Sequence, residues 1–437
     1  MYTTRPSVIR RGHCTREGVR MRFGDQAVLF DFEGIPMIGN MNTGYAIGLT
    51  PEGKEICQRL MREDVPPAEI VAVDEALFQH LGIGGFFGYK KQDDALKSAY
   101  IHITQRCNLQ CVGCYSLDDD RNALADAPTE KINHAIAQLA SAGIGQIVIS
   151  GGEPFLRDDL AAIAAFAKIE CGVPQVVVLS NGVGLAAHQL KRVAPFVDRV
   201  SISFDGCSAD SKAYIRGEQR YAELVGAVEA VKAASIPAHI IATIHAKNVD
   251  DVRNYLSMAE RLGATISFSL LSCPCNDGAL KELIPGEGEL KKLARSMLTL
   301  GEGGPLPVSD SPIGANLTVK GSCGAGFRTV SVGADGTVYP CHMLHRKDLA
   351  MGNLFTDTLH GVLTSEVGRG FRSLRTEDFE DCAGCEYERL CGGGCRARSL
   401  YEYESLKSPD SYCVMMKEFF SGFGSMLNSA IAMQGRR

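Results

Sequence analysis

Between residues 98 and 271 short apolar blocks alternate with longer amphipathic stretches. SAYIHIT (98–104), QIVIS (146–150), QVVVLS (175–180), RVSISF (199–204), AHIIATI (238–244) and TISFSLL (265–271) are rich in β-branched and aromatic residues and too short for helices, so each reads as a strand. Helical periodicity covers about 127–142 and 158–169, and the stretches between the later strands. Six such units in succession predict an α/β fold with a parallel sheet, a partial (β/α)6 TIM-like barrel. In such folds chemistry sits beyond the C-terminal strand ends.

The flanking regions follow other patterns. MRFGDQAVLFD and IPMIGNMNTGYAIG read as short β segments with turns. TPEGKEICQRLM (50–61) opens with Thr as N-cap and Pro at the first helical position, and PPAEIVAVDEALFQHLGIGGFF supplies one or two more helices. Strands followed by helices predict a winged-helix-like α+β domain over 1–94, ahead of the barrel at 95–305. TVSV and GTVYP predict a hairpin turning at Ala334–Gly336, inside a cysteine-rich domain over 306–437. The apolar FFSGFGSMLNSAIAM is short and broken by Gly, Ser and Asn, which makes it a packing helix.

Length and charge narrow the function classes. The 437 residues are too many for one core. A net charge of −6 argues against a broad nucleic-acid surface. MYTTRPSVIRRGHC lacks the apolar segment of a secretory signal, and no run reaches about 18 apolar residues, so a cytoplasmic protein without a membrane span is expected.

Sixteen cysteines are many for such a chain. Reduced, clustered thiols more often bind metal or do redox work than form disulfides. CNLQCVGCYS places Cys107, Cys111 and Cys114 just past the first strand, at its C-terminal end. A structural zinc normally takes four protein ligands. Three thiols on one loop could instead hold three irons of a [4Fe–4S] cluster, leaving the fourth iron open. A zinc site completed from elsewhere, or three unrelated thiols, are the alternatives. Seven more cysteines lie between Cys323 and Cys413: CGAGFRTVSVGADGTVYPC contributes Cys323 and Cys341, and CAGCEYERLCGGGC contributes Cys382, Cys385, Cys391 and Cys395. Glycines 392–394 let the chain wrap tightly there. Taken alone, CxxC pairs favour zinc. Of the other six, Cys14, Cys57, Cys171 and Cys207 read as small buried hydrophobes. Cys273 and Cys275, in SCPCNDG after the sixth strand, could approach substrate, complete a cluster or belong to a Pro-stiffened loop.

The spacing Cys-x3-Cys-x2-Cys after strand one resembles the radical S-adenosylmethionine (SAM) superfamily. Its other motifs follow in order: GGEP (Gly151–Pro154) after strand two, LSNG (179–182) after strand three and SISFDG (201–206) around strand four. The resemblance covers about residues 95–300. It implies that a reduced cluster on Cys107, Cys111 and Cys114 passes one electron to SAM, giving methionine and a 5′-deoxyadenosyl radical that abstracts a substrate hydrogen. It places Gly151, Gly152, Glu153 and Pro154 along the methionine part of SAM, with backbone bonds to its amino group. It places Ser180 and Asn181 along the cofactor, Asn181 on the ribose side, and Ser203 and Arg216 (in YIRGE) near the carboxylate. The family's aromatic residue before the third cysteine is Gly113 here, so the adenine is expected on Tyr115 or a later strand.

The seven later cysteines resemble the SPASM domain, which binds one or two auxiliary iron–sulfur clusters. By that resemblance Cys382, Cys385, Cys391 and Cys413 hold an outer cluster, and Cys323, Cys341 and Cys395 an inner one, both expected as [4Fe–4S]. Leu317 stands where fully ligated inner clusters have a further cysteine, so an open iron or a non-cysteine ligand is expected. An open iron would bind a substrate thiolate or serve only as an electron relay. The N-terminal pattern resembles a PqqD-like peptide-recognition element, which captures a leader peptide as an added strand; a structural cap for the barrel is the alternative.

Together these resemblances imply a maturase of a ribosomally made precursor peptide, drawing electrons from a flavodoxin or ferredoxin. Thioether or carbon–carbon crosslinking, or oxidative decarboxylation, would be its outcome. A sulfatase-maturing enzyme is one rival, but that group carries an Asp directly after the cysteine matching Cys341, and His342 stands here. A radical SAM enzyme acting on a small molecule or haem precursor, and a non-enzymatic iron–sulfur or zinc protein, are the others.

Overall fold

The computed structural model describes residues 20–87, 95–114, 116, 122–272, 278–300, 317–379 and 381–434. Cys14, Tyr115, Cys273, Cys275 and the expected boundary at 305 lie outside the described residues. The chain forms two compact units, residues 1–93 and 94–437.

In the first unit three antiparallel strands, β1 (Ala27–Phe32), β2 (Ile35–Asn40) and β3 (Ala46–Gly48), pair in chain order. The β1–β2 turn needs positive φ at both central residues, Glu33 (50°) and Gly34 (81°), the twist that matches a two-residue hairpin. Helices α1 (Pro51–Arg62), α2 (Pro67–Val73) and α3 (Glu75–Ile83) follow. The Thr50 hydroxyl accepts a bond from the Gly53 N–H at 3.1 Å, and the Asp74 carboxylate one from Leu77 at 3.0 Å, so both caps are made by side chains. Ile38, Leu60, Ile70, Leu81 and Phe86 form a fully buried core. Asn40, buried, donates to the Gly84 and Gly85 carbonyls at 2.8 and 3.0 Å and ties the sheet to the end of α3.

Among the described residues the second unit is built on one sheet of nine strands, six of them adjacent in chain order. Strands β4 (Ser98–Thr104), β5 (Gln146–Gly151), β6 (Gln175–Ser180), β7 (Arg199–Phe204), β8 (Ala238–Ile244) and β9 (Thr265–Leu270) are all parallel. Helices α4 (Thr129–Ser141), α5 (Leu160–Ala165), α6 (Ala187–Val193), α7 (Tyr221–Ala233) and α8 (Val252–Leu262) connect them, and α5 runs on through a π-helical turn, Phe166–Glu170. This is the expected partial barrel, with β9 ending one residue early.

The C-terminal hairpin has its turn where the sequence placed it, but it is not separate from the barrel. β10 (Thr329–Val332) pairs in parallel with β4, from Thr329 opposite Ser98 to Val332 opposite Ile101. β11 (Thr337–Tyr339) and β12 (Gly352–Asn353) add antiparallel strands outside it. The expected packing helix spans Cys413–Gln434 and lies against the helix Glu287–Leu300. Among the described residues no helix is long and apolar enough to cross a membrane.

Candidate functional site

The site is assembled where β4 to β7 end. Residues 99, 101 and 103 of β4 are buried and apolar, so Tyr100, His102 and Thr104 take the other face. The chain then leaves the sheet into the cysteine loop. Its root is held by the Arg106 guanidinium, which donates to Asp126 at 2.5 and 3.1 Å and to the Leu156 carbonyl at 2.9 Å. The Cys107 N–H donates to the Asn122 side chain at 2.9 Å, and the Val112 N–H to the Ile215 carbonyl at 2.8 Å.

Gly151 and Gly152 press directly on this root. A Cβ at Gly151 would fall 2.2 Å from the Thr104 carbonyl oxygen, and one at Gly152 2.1 Å from that of Arg106. The Gly152 N–H donates to Thr104 and the Glu153 N–H to Arg106, at 2.9 and 2.8 Å. Pro154 has no N–H, and the Phe155 N–H bonds the Glu153 carboxylate at 3.2 Å. The donors of residues 152–155 are therefore spent within the protein, and the stretch offers a ligand only acceptors, the right polarity for an ammonium group.

Glu153 itself faces inward. Its carboxylate is buried and also accepts from the Ser180 hydroxyl at 3.0 Å and the Asn181 N–H at 2.8 Å. Burial pushes its carboxyl up to about 7, against the lowering effect of those bonds. Ser180 is equally committed, its oxygen accepting from the Gly182 N–H at 3.0 Å. The structure thus brings Glu153 and Ser180 into the site as a brace joining the ends of β5 and β6. Asn181 reaches outward: its amide donates to Asn108 at 2.7 Å and lies 3.7 Å from the Cys107 sulfur.

Arg216 arrives from the loop after β7. Asp205, nearly buried, accepts from the Ile215 and Arg216 N–H groups at 3.0 and 2.8 Å and fixes that loop. The Arg216 Nε and Nη1 are buried without a hydrogen-bond partner, while its charge acts on the Cys111 thiol. A desolvated guanidinium edge beside three thiols calls for an anion. Burial pushes Cys111 up to about 11, with Arg216 opposing and Cys114 and Cys107 adding to the rise. Ser203 is half-buried on β7, between the fully buried Ile202 and Phe204.

The later cysteines fall into two groups by mutual influence. Cys341 feels Cys395 and Cys323. Cys382 feels Cys413 and Cys385, and Cys391 feels Cys413 and Cys382. Burial pushes Cys391 up to about 12, so filling these sites must displace protons. Among the described residues no three His, Cys, Asp or Glu groups converge on one point as a single ion requires. Sets of three and four thiols without a histidine suit an iron–sulfur cluster, whose usual ligands are thiolates. Gly392, Gly393 and Gly394, at φ of 66°, 79° and 70°, wrap the chain between the two sets.

Three features were not legible in motifs. Arg396 is buried, donates to the Leu406 and Ser408 carbonyls at 2.8 Å each and covers the Phe379 ring at 4.4 Å. Asp410 is buried against Arg398; burial pushes its carboxyl up, but the charge and bonds of Arg398, with the Cys395 and Tyr412 N–H groups, outweigh this and hold it low. His342 stacks on Tyr100 at 4.3 Å, and His345 stacks on His102 at 4.6 Å and on Tyr339 at 4.4 Å. Burial lowers His342 to about 4.

The Radical SAM superfamily matches residues 101–259, and the SPASM iron–sulfur cluster-binding domain matches residues 323–386. The chain is 30% identical to the mycofactocin maturase MftC of Mycobacterium ulcerans, over 71% of this chain and 86% of that protein. It is 27% identical to the AdoMet-dependent heme synthase of Methanosarcina barkeri, over 71% and 94%. Among solved structures, anSMEcpe with bound AdoMet covers 77% of this chain and all of its own, at TM-score 0.62 and 18% identity. Streptococcus suis SuiB bound to its precursor peptide SuiA covers 90% of this chain and 99% of its own, at TM-score 0.60 and 14% identity. At those identities the two structures speak for the fold.

Proposed function

The chain belongs to the radical SAM superfamily with a SPASM domain, and on that premise we propose that it cleaves SAM to modify a ribosomally made precursor peptide. Two features at the Cys107–Cys114 loop carry this: the Arg216 guanidinium edge, buried and unpartnered near Cys111, and the GGEP turn at the loop root, which offers only acceptors. The first suits a carboxylate and the second an ammonium, the two charged groups of an amino-acid moiety.

Cys107, Cys111 and Cys114 hold the catalytic [4Fe–4S] cluster in this reading. When bound, cluster and SAM supply a carbon radical through one-electron reductive cleavage. The rest is positioning by the chain. Gly151 and Gly152 let the GGEP turn sit against the loop root, Glu153 and Ser180 lock adjacent strand ends, and Asn181 steadies Cys107. Arg216, aimed by Asp205, receives the SAM carboxylate, with Ser203 on the neighbouring strand. Tyr115 is assigned to the adenine by resemblance alone. Cys323, Cys341 and Cys395 hold an inner auxiliary cluster, and Cys382, Cys385, Cys391 and Cys413 an outer one. A small electron carrier of the flavodoxin or ferredoxin class supplies the electrons, in the cytoplasm.

The substrate class rests on the relatives: MftC is named a maturase, and SuiB was solved with a precursor peptide. The PqqD-like reading of the N-terminal unit gives the leader a place, because β1 and β3 are the outer strands of their three-stranded sheet. The sulfatase-type rival loses its carboxylate to His342, which is stacked on Tyr100.

The test is coexpression with a short peptide encoded beside the gene, followed by peptide mass. Loss of two hydrogens per event means crosslinking or desaturation, and loss of carbon dioxide means decarboxylation. An unchanged mass, with SAM still cleaved by purified protein, moves the substrate to a small molecule such as a haem precursor.

A further inference from the structure

Arg396 is a buried cation whose partners are all neutral. It opens the helix Arg396–Tyr403, directly after Cys395, and is 2% exposed. Arg157, the other buried arginine among the described residues, pairs with Asp159 at 2.5 Å. Arg396 instead donates through Nη1 to the Leu406 and Ser408 carbonyls at 2.8 Å each and through Nη2 to the Gly393 carbonyl, with its guanidinium 4.4 Å above the Phe379 ring. Its Nε is buried with no hydrogen-bond partner.

This guanidinium sits among the auxiliary cysteines. Arg396 and Cys323 line one recess, walled by Phe327, Phe371, Leu374 and Phe379, that has no room for a water molecule. Solvent therefore does not reach Nε there. The Phe379 ring that Arg396 covers belongs to the residue whose carbonyl accepts the Cys382 N–H at 3.0 Å. Gly393, whose carbonyl Arg396 holds, stands at φ 79°, and a Cβ there would fall 2.8 Å from that ring. The charge is thus fixed in a narrow place between Cys395, Cys323 and the root of Cys382.

A clamp does not need this charge. Ser399, one turn on, already donates to the Ser405 and Ser408 carbonyls at 2.7 and 2.8 Å, so the segment after the helix has a neutral tie. Burying a cation without a counter-ion is costly, and carbonyls with one aromatic face offset only part of that cost. The orphaned Nε and the dry recess call for an anion. A thiolate-ligated iron–sulfur group is one, and its potential responds to the charge around it.

We propose that Arg396 is a positioning residue for the auxiliary centres: its guanidinium is the built-in counter-charge to the iron–sulfur group of the Cys323, Cys341 and Cys395 set, and it makes that group easier to reduce. The proposal rests on the two-cluster reading above. The sign follows from Coulomb's law, because a fixed positive charge stabilises a centre more once it has gained an electron.

The test uses the full chain with Cys107, Cys111 and Cys114 replaced by Ala, so that only auxiliary signals remain. Reconstituted protein is titrated with dithionite and followed by electron paramagnetic resonance, with iron and sulfide counted. Arg396→Gln removes the charge, Arg396→Lys keeps it without the fork, and Ser399→Ala removes only the neutral tie. Arg396→Gln should lower one auxiliary midpoint, while Arg396→Lys and Ser399→Ala stay near the parent. Auxiliary iron lost from Arg396→Gln but retained in Arg396→Lys also supports the charge role. An unmoved midpoint in Arg396→Gln overturns the proposal, as does an equal shift in Arg396→Lys or in Ser399→Ala. Equal loss of auxiliary iron from both Arg396 variants overturns it too and leaves a structural clamp. A parent protein without two auxiliary signals refutes the cluster reading itself, a separate failure.

Discussion

Replacing Gly152 by Ala tests the closeness of the GGEP turn to the cysteine loop. The new Cβ would stand 2.1 Å from the Arg106 oxygen, 2.5 Å from the Gln105 oxygen and 2.6 Å from the Arg106 carbonyl carbon. All three are backbone atoms, so no rotamer change relieves the clash. Regaining even 3.0 Å from the Arg106 oxygen requires the two segments to part by about 0.9 Å. The Glu153-to-Arg106 bond of 2.8 Å would be broken or bent by that movement. Cys107 follows Arg106 directly, so the displacement passes to the thiol. A misplacement of about 1 Å costs on the order of 100-fold in rate, and the overpacking about 1–3 kcal/mol in stability. The assay is anaerobic 5′-deoxyadenosine release, with iron content as the control for the tail. We expect a roughly 100-fold fall in release with tail iron retained. Gly226→Ala, on α7 where a Cβ meets nothing within 4 Å, should leave release unchanged. Release within about threefold of the parent in Gly152→Ala would refute the reasoning, because the contact would then be yielding rather than rigid.

Arg216→Lys keeps a charge but loses the fork, so SAM should bind roughly 10- to 100-fold more weakly with the cluster spectrum unchanged; unaltered binding removes Arg216 from the carboxylate site. Glu153 titrates at about 7 in the folded protein against 4.5 as its ordinary value, so the folded state holds its proton more tightly. Stability from this group is full below about 4.5 and declines as pH rises to about 7, by roughly 3 kcal/mol in all. The melting difference between parent and Glu153→Gln should change across that window, and a pH-independent difference counts against the burial argument. Deleting residues 1–93 should weaken precursor binding at least tenfold and spare uncoupled SAM cleavage; unchanged binding removes the leader role.

The barrel was legible because its signals are local. Six apolar blocks, each followed by amphipathic sequence, need no knowledge of pairing, and the Cys107, Cys111, Cys114 spacing lies within one loop. The SAM-side motifs were legible as motifs, but their division of labour was not. GGEP and LSNG do not reveal that Glu153 and Ser180 turn inward while Asn181 turns toward Cys107, since that depends on how β5 and β6 end side by side. Asp126, Asp205 and Asp410 look like ordinary acidic residues. Each acts on a partner 10 to 20 residues away along the chain, a separation at which no periodicity speaks. The pairing of β10 with β4 was hidden for the same reason, with Ser98 and Thr329 231 positions apart.

That pairing has a mechanical consequence. β4 is bonded on one side to β5, which ends in Gly151, and on the other to β10, whose hairpin leads to Cys341. A strand held on both sides cannot slip by one residue, because the slip would turn Tyr100, His102 and Thr104 to the opposite face. Those side chains are themselves engaged: His342 stacks on Tyr100, His345 on His102, and Thr104 bonds Asp126. The segment after Cys341 therefore lies along the same face of the strand that delivers Cys107. The spacing between the SAM-side thiols and Cys341 is set by the register of one sheet, not by a tether. A reaction that hands a radical to a peptide depends on such fixed distances, since an error of about 1 Å costs on the order of 100-fold. Building the auxiliary hairpin into the barrel's own sheet supplies that fixity without requiring a large interface between separate domains.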